Sequence, residues 1–269
     1  GTQMRTGADP APAFAAAADL ALRHLDHFPA AVWLRVDARP VHEAGGSEAQ
    51  ELGVALAGGI AALRALTDAG LRVADAARMI GFTLAVGADV LVETAKLRAL
   101  RLGWARILEA SGAGDGPGAS IHAVTSRRMM TRHDAWTNML RTTGATFAAA
   151  VGGATAITVR PFTEALGLPT PFARRMARNT QLVLMEESRL GHVIDPAGGA
   201  WFVEELTREL AQAAWTRMQA IEAQGGIAAA LAGGALQQDV ALTRQKRAKA
   251  FASRRETITG VTDFPLLGQ

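Results

Sequence analysis

The sequence predicts an α/β fold built on a parallel sheet, and three observations point there. Short apolar, β-branched runs, Ala31–Asp37 (AVWLRVD), Ile121–Thr125 and Ala156–Arg160, have the length of buried strands. They alternate with longer stretches whose apolar residues recur at helical spacing, and a parallel connection has to cross back over the sheet, which chains do with a helix. With 49% hydrophobic and 20% charged residues in 269, the chain also has the ordinary globular balance needed to bury a core.

Taken in order, Gly1–Pro12 is rich in Gly, Pro, Thr and Ala without periodicity, so residues 1–14 are expected to be a leader or linker and residues 15–269 the folded segment. Ala15–His27 reads as a helix and Ala31–Asp37 as a strand. In Glu48–Thr67 the residues Leu52, Leu56, Ile60 and Leu63 fall on one helical face, with Ser47 as N-cap. A long helical region is expected from Val73 to Glu109, containing Leu91, Lys96, Leu97 and Trp104 and closed by the Gly112–Gly118 loop. Strand Ile121–Thr125, helix Trp136–Ala150, strand Ala156–Arg160 and helix Phe172–Leu190 follow. His192–Ile194 is a weaker strand candidate ahead of the turn Asp195–Gly199. Helices Val203–Gln224, Ile227–Leu231 and the basic Gln237–Arg255 come next, and Gly260–Phe264 is a final extended piece. That makes about four βα units, whereas a closed (β/α)₈ barrel needs eight strands. Four units leave unpaired edges and an uncovered face. Another chain supplies the other half, or the sequence is a fragment, or it folds as a small open doubly wound sheet.

Composition narrows the function classes. Cysteine is absent and no basic-flanked apolar leader is visible, so neither disulfides nor secretion are indicated and a cytoplasmic location is expected. Apolar runs such as Ile227–Ala232 are far short of the roughly 20 residues of a membrane span. The 28 basic and 25 acidic residues nearly balance, which favours a small-molecule or protein partner over nucleic acid.

Local chemistry is sparse. His122 lies in an expected strand. His133-Asp134 precedes a helix, where Asp134 is expected to cap orphan amides. Glu186 and Glu187 point to different sides of one helix, which argues against a shared acid/base role. No His, Cys or carboxylate spacing makes a metal motif. The loop GAGDGPG (Gly112–Gly118) follows a helix and precedes a strand, the reverse of a phosphate cradle. Gly152-Gly153 and Gly198-Gly199 read as helix C-caps or turn formers. The basic stretch of Arg244, Lys246, Arg247, Lys249, Arg254 and Arg255 has only Phe251 as an aromatic neighbour, so it reads as a solvated face.

Longer segments carry more. HEAGGSEAQELGVALAGGIAALR, ETAKLRALRLGWA, DAWTNMLRTT, EALGLPTPFARRMARNTQLVLMEES and DPAGGAWFVEELT, in this order, resemble the substrate barrel of the methylmalonyl-CoA mutase family. The resemblance runs from about Ala31 to Phe264, and VTSRRMMTRHDAWTNMLRTTGATFAAAVGGATAITVRPF is most similar to the small (beta, non-catalytic) subunit. It implies a (β/α)₈ TIM-barrel type with the C-terminal half present, extra C-terminal helices and no cobalamin-binding domain. Where catalytic members have a Tyr-His pair, this chain has Arg39 and Pro40, and His42 falls two residues on, where the family usually has glutamine. The family's R-T-H-S-Q becomes Ser120, Ile121, His122, Ala123, Val124. Arg78 matches a family arginine of the substrate pocket, though it reads equally as a structural salt-bridge residue.

The resemblance therefore implies an isomerase-family chain with no catalytic residue and no metal ligand of its own, and with Arg78 and His122 as its substrate-binding candidates. Adenosylcobalamin supplies the radical chemistry in this family. Its usual D-x-H-x-x-G module is not recognisable here, so the cofactor is expected in the complex and not on this chain. The implied partners are a catalytic large subunit, a chain supplying the other barrel half, and an acyl-CoA substrate met through the complex. Two rival readings are a substrate-contacting piece of an acyl-CoA mutase completed by other chains, and an adaptor for a metal-loading or GTPase chaperone of such enzymes.

Overall fold

The computed structural model describes residues 11–265, residues 26 and 29 excepted. Helix α1 (Ala11–His24) precedes strand β1 (Leu34–Asp37); α2 (Arg39–Glu43), α3 (Glu48–Asp68) and α4 (Val73–Arg78) lead to β2 (Ile80–Val86). Helix α5 (Val90–Ala110) connects β2 to β3 (Ser120–Thr125), and α6 (Asn138–Val151) connects β3 to β4 (Ala156–Thr158). After β4 come α7 (Pro171–Leu182), α8 (Trp201–Glu222), α9 (Ile227–Ala232) and α10 (Ala235–Ala252). The four strands are parallel and stand in the order β1-β2-β3-β4. This is the arrangement of successive βα units and is consistent with a partial (β/α) barrel.

The register sorts the sheet into two faces. Val36, Phe82 and Ile121 form one row and Leu84, Ala123 and Ile157 another, on the side that α3 and α5 cover. On the opposite face stand Arg35, Asp37, Thr83, His122 and Thr158. One face is therefore the core, and the other mixes polar side chains with the small residues Gly81, Ala85 and Ala156. Helix α3 lies between the sheet and α8, and 72% of its most apolar window is buried. It is long and apolar enough to span a membrane, as a helix covered on two sides by protein also is. Its start is a capping box: the Ser47 hydroxyl accepts the Gln50 amide and the Gln50 side chain accepts the Ser47 amide. At Gly59 a Cβ would sit 2.8 Å from Trp104 Cζ3 and 3.0 Å from Phe82 Cε1, so only glycine lets α3 approach this closely.

Several elements differ from the sequence-based expectations. The region Val73–Glu109 is not one helix: it divides into α4, β2 and α5. Ile80–Val86 (IGFTLAV) is buried at every position, and an unbroken apolar run has no periodicity to separate a buried helix from a central parallel strand. Pairing on both sides, with β1 and β3, decides for the strand. His192–Ile194 is not a strand; a 3₁₀ turn spans Leu190–His192, and Val193 and Ile194 are exposed. Among the described residues the strands number four, with β2 in place of that segment. Helix α1 begins at Ala11, within the stretch expected to be a leader.

The helix expected over Phe172–Leu190 stops at Leu182 and continues as a π turn, Val183–Glu187. Asp134 does not cap backbone amides: it sits at φ 45° with no side-chain cap bond, and its carboxylate accepts the Thr137 hydroxyl. Gly260–Phe264 is a turn with one bridge, Thr259 to Asp263. Gly152 ends α6 with Gly153 at φ 77°, and Gly198-Gly199 close a turn on the Asp195 carbonyl, as their types predict.

Candidate functional site at the carboxyl ends of the strands

In parallel α/β folds, ligand and catalytic groups gather where the strands end. Here that end holds a set of buried charges. Strand β1 last bonds to β2 through the Ala38 amide and the Thr83 carbonyl, two residues short of Ala85. The Ala85 amide and carbonyl face the same side and have lost their strand partner. Glu51 and Lys96 take its place: Glu51 Oε1 accepts the Ala85 amide at 2.7 Å, and Lys96 Nζ donates to the Ala85 carbonyl at 2.7 Å. Lys96 Nζ also pairs with Glu51 Oε2 at 3.0 Å and with Glu93 Oε2 at 2.5 Å, and Glu93 Oε1 accepts the Gly87 amide at 2.8 Å. Unmade backbone bonds in a dry interior are costly, and these side chains satisfy them.

The imidazole of His42, 1% exposed, joins this group to β3. Its Nδ1 lies 3.5 Å from Glu51 Oε2 and its Nε2 lies 2.7 Å from Ser126 Oγ, which itself accepts the Arg128 amide at 3.1 Å. Which of the pair His42 Nε2 and Ser126 Oγ donates follows the ring's tautomer, and the buried Nδ1 makes no hydrogen bond among the described residues. Arg128 donates to the carbonyls of His42 and Gly46, both at 2.8 Å, and shares Glu48 with Arg247 at 3.4 and 3.3 Å. Three carboxylates (Glu48, Glu51, Glu93) thus face three cations (Lys96, Arg128, Arg247).

Burial alone would push the Glu51 carboxyl up, but the Lys96 ammonium, the His42 ring and the Ala85 amide outweigh it and hold the group at about 2. Burial likewise opposes the charge on Lys96, and the carboxylates of Glu51, Glu93 and Glu48 outweigh it, holding the ammonium above its ordinary value. For Arg128 burial comes first and Arg247 adds to it, so its pKa is lowered. Because the Glu51 carboxyl is lower in the folded chain than in the unfolded one, its contribution to stability is complete above about pH 4.5 and is lost as pH falls through 2. The shift corresponds to roughly 3 kcal/mol. Acid titration of the unfolding free energy should show this loss between pH 4.5 and 2, with a shallower slope in Glu51→Gln; equal slopes in the two proteins would refute the assignment to Glu51.

The ligand atoms of His42, Glu48 and Glu93 lie within 4.8 Å of one another, a separation that a cation could span. The positive charge at that place is already supplied, since Lys96 holds Glu93 while Arg128 and Arg247 hold Glu48. Above the cluster is a cavity of about 820 Å³, walled by His42, Ser126, Arg128 and Arg141 and bordered by Phe251 and residues 256–259. Asp89 and Glu256 line it as well, while the charges of the cluster below are largely bonded to one another, a chemistry that holds segments together.

The structure does not bring the two expected substrate-binding residues together. Arg78 ends α4 just before β2 begins, at the opposite end of the strand from the cluster, and its exposed guanidinium pairs with Asp75 at 3.0 Å. His122 stands on the open face in the middle of β3, with Nε2 2.8 Å from Thr158 Oγ1. Burial first, then Arg35 and Arg39, lower its pKa. Arg39 is held by Asp37 at 2.8 and 2.6 Å, and Glu186 and Glu187 are exposed in the π turn. Sequence reasoning missed Glu51, Glu93, Lys96, Ser126 and Arg128. The signal that could have found the first three is a charge inside an otherwise apolar helical face, in QELGVAL and VETAKLRAL, where an unpaired charge would be prohibitive.

Comparison with known proteins agrees with this layout. The family model described as methylmalonyl-CoA mutase matches residues 3–267. A methylmalonyl-CoA mutase small subunit of Streptomyces virginiae is 52% identical over 267 residues, 99% of this chain and 43% of that protein. The small subunit of Propionibacterium freudenreichii subsp. shermanii is 45% identical over 235 residues, covering 87% of this chain and 37% of that protein. A protein named methylmalonyl-CoA mutase from Cereibacter sphaeroides is 37% identical over 229 residues, 84% of this chain and 32% of that protein. The chain spans less than half the length of these curated relatives. By the near-complete family match and by its similarity to small subunits, the chain belongs to the methylmalonyl-CoA mutase family.

Proposed function

We propose that residues 15–269 are the C-terminal half of a TIM-type (β/α)₈ barrel in a non-catalytic small subunit of an adenosylcobalamin-dependent mutase. In that role the chain supports a catalytic large subunit in interconverting methylmalonyl-CoA and succinyl-CoA. The observation that carries the reading is the state of the carboxyl-end site. Pro40 occupies the slot of the family's proton-donating histidine, and the nearby His42 is buried between Glu51 and Ser126. Proline has no proton to move, and the His42 ring is 1% exposed at the wall of the cavity.

Cobalamin does not fit the residues that the structure offers at this end. The imidazole lining the cavity is 1% exposed with its Nε2 2.7 Å from Ser126 Oγ, and the guanidiniums around it are bonded to carbonyls and carboxylates. The large subunit is the proposed place for the cofactor. The polar open face with Arg35, Asp37, Thr83 and His122 supports a barrel interior over a doubly wound sheet, whose second face would be covered by helices and apolar.

The decisive experiment is a turnover assay. This chain with adenosylcobalamin and methylmalonyl-CoA should give no succinyl-CoA. Adding a catalytic large subunit should give turnover that an Arg78→Ala/His122→Ala double variant leaves within about twofold, less than 1 kcal/mol of barrel-side binding. Isomerisation by the purified chain with cobalamin as the only addition would overturn the reading.

A further inference from the structure

We propose that Ser126, His42 and Glu51 form a nucleophile, a base and a positioning acid that hydrolyse acyl esters or thioesters entering the cavity at the carboxyl ends of the strands. This activity is separate from the mutase rearrangement and needs neither cobalamin nor a second subunit.

The three side chains come from different elements and meet end to end. Ser126 directly follows β3, its amide fixed to the Val86 carbonyl at 2.7 Å, while His42 lies in α2 and Glu51 in α3. Ser126 Oγ is 2.7 Å from His42 Nε2, and His42 Nδ1 is 3.5 Å from Glu51 Oε2. A hydroxyl held against one ring nitrogen with a carboxylate facing the other is the arrangement that activates serine in hydrolases. An ionised carboxylate beside Nδ1 favours the tautomer that carries its proton there, which leaves the Nε2 lone pair to take the Ser126 proton. Lys96 Nζ at 3.0 Å and the Ala85 amide at 2.7 Å keep Glu51 ionised. The contact at Nδ1 is longer than a hydrogen bond, and such contacts commonly tighten only once substrate is bound.

Among the described residues His42 is the one imidazole that joins a hydroxyl to a carboxylate. His122 also meets a hydroxyl, Thr158 Oγ1 at 2.8 Å, but no carboxylate lies within ion-pair distance of its ring. Ser126 and His42 are each 1% exposed, and both line the cavity of about 820 Å³, so a substrate reaches them through it. The Arg128 amide donates to Ser126 Oγ at 3.1 Å and its guanidinium lines the same cavity, which sets a donor and a fixed cation beside the charge that develops on attack.

In the first step Ser126 Oγ attacks the acyl carbon while its proton passes to Nε2. The C–O or C–S bond breaks, the leaving oxygen or sulfur takes that proton, and the acyl group stays on Oγ. Water then attacks the acyl-serine and gives a proton to Nε2, the bond to Oγ breaks, Oγ regains the proton, and a carboxylic acid leaves.

The test treats the chain with a fluorophosphonate, maps the adduct by mass spectrometry, and follows release of nitrophenolate from 4-nitrophenyl acetate and of thiophenolate from S-phenyl thioacetate. The folded chain should carry the phosphonyl group on Ser126, and the urea-unfolded chain should not. Turnover of either compound upholds the assignment, and the faster one identifies the leaving atom as oxygen or sulfur. Ser126→Ala should reduce release to that of buffer, and His42→Gln should slow it about a hundredfold. Glu51 acts through the ring, so Glu51→Gln should lower the turnover per labelled site at least tenfold; a purely structural role would reduce the number of labelled sites and leave the turnover of each unchanged. Ser126 unlabelled in the folded parent, a result that needs no variant to fold, would sink the proposal, as would release by Ser126→Ala equal to the parent's.

Discussion

Lys96→Met should be the most damaging single change in this chain, costing about 3–5 kcal/mol of folding stability. The side chain is fully buried and of similar volume to methionine, so little is lost in packing. What is lost is the one cation between Glu51 and Glu93, together with the donor to the Ala85 carbonyl. Two carboxylates then face each other in a dry interior with only His42 and backbone amides to offset them. Removing one partner of a buried network is far worse than removing all of it, because the survivors keep their desolvation penalty and lose their compensation. The triple variant Lys96→Met/Glu51→Gln/Glu93→Gln should therefore recover part of the loss. Denaturant titration of the three proteins decides the matter: a single variant within about 0.5 kcal/mol of the parent would mean that water reaches this cluster and screens it.

Trp104→Ala should cost a comparable 3–5 kcal/mol, for a different reason. Trp104 is 1% exposed and meets Phe82 edge-on at 5.0 Å, filling the space that Gly59 leaves open between α3, α5 and β2. Truncation leaves a cavity that three rigid elements cannot all collapse into. The pair with Gly59 supplies the control. In the parent, Gly59→Ala drives a methyl to within 2.8 Å of the indole and should destabilise despite alanine's better helix propensity; in Trp104→Ala only the tight contact with Phe82 at 3.0 Å remains, and the same change should cost less. A thermal or denaturant double-mutant cycle that found the two sites additive would contradict this geometry.

These expectations depend on features that differ in how legible they were from the residues alone. Helix α3 was readable because its cues are local: leucines at helical spacing, a serine before them, and a glutamine three residues on that completes the cap. The turns at Gly152-Gly153 and Gly198-Gly199 were readable for the same reason. Strand β2 was not, since IGFTLAV is apolar throughout and local propensity is silent on whether neighbours will flank it. Val193 and Ile194 show the reverse error: β-branched residues suggested a strand, and among the described residues no neighbouring strand pairs with them. Asp134 had the right residue type for a cap but the wrong backbone, since a left-handed φ turns its carboxylate toward Thr137.

By itself, the sequence determined the class of the fold, the alternation of strand and helix, and the resemblance to the family, because each of these is written in residue types, their spacing and their order. Only the tertiary structure decided which segment is the central strand and that Glu51, Glu93, Lys96, His42, Ser126 and Arg128 form one network. The reason is separation along the chain. His42 and Ser126 stand 84 residues apart and Glu51 and Lys96 45, and nothing local in either segment encodes the other. They meet because β1 stops two residues short of Ala85, leaving backbone groups that only a buried, mutually neutralising set of side chains could satisfy.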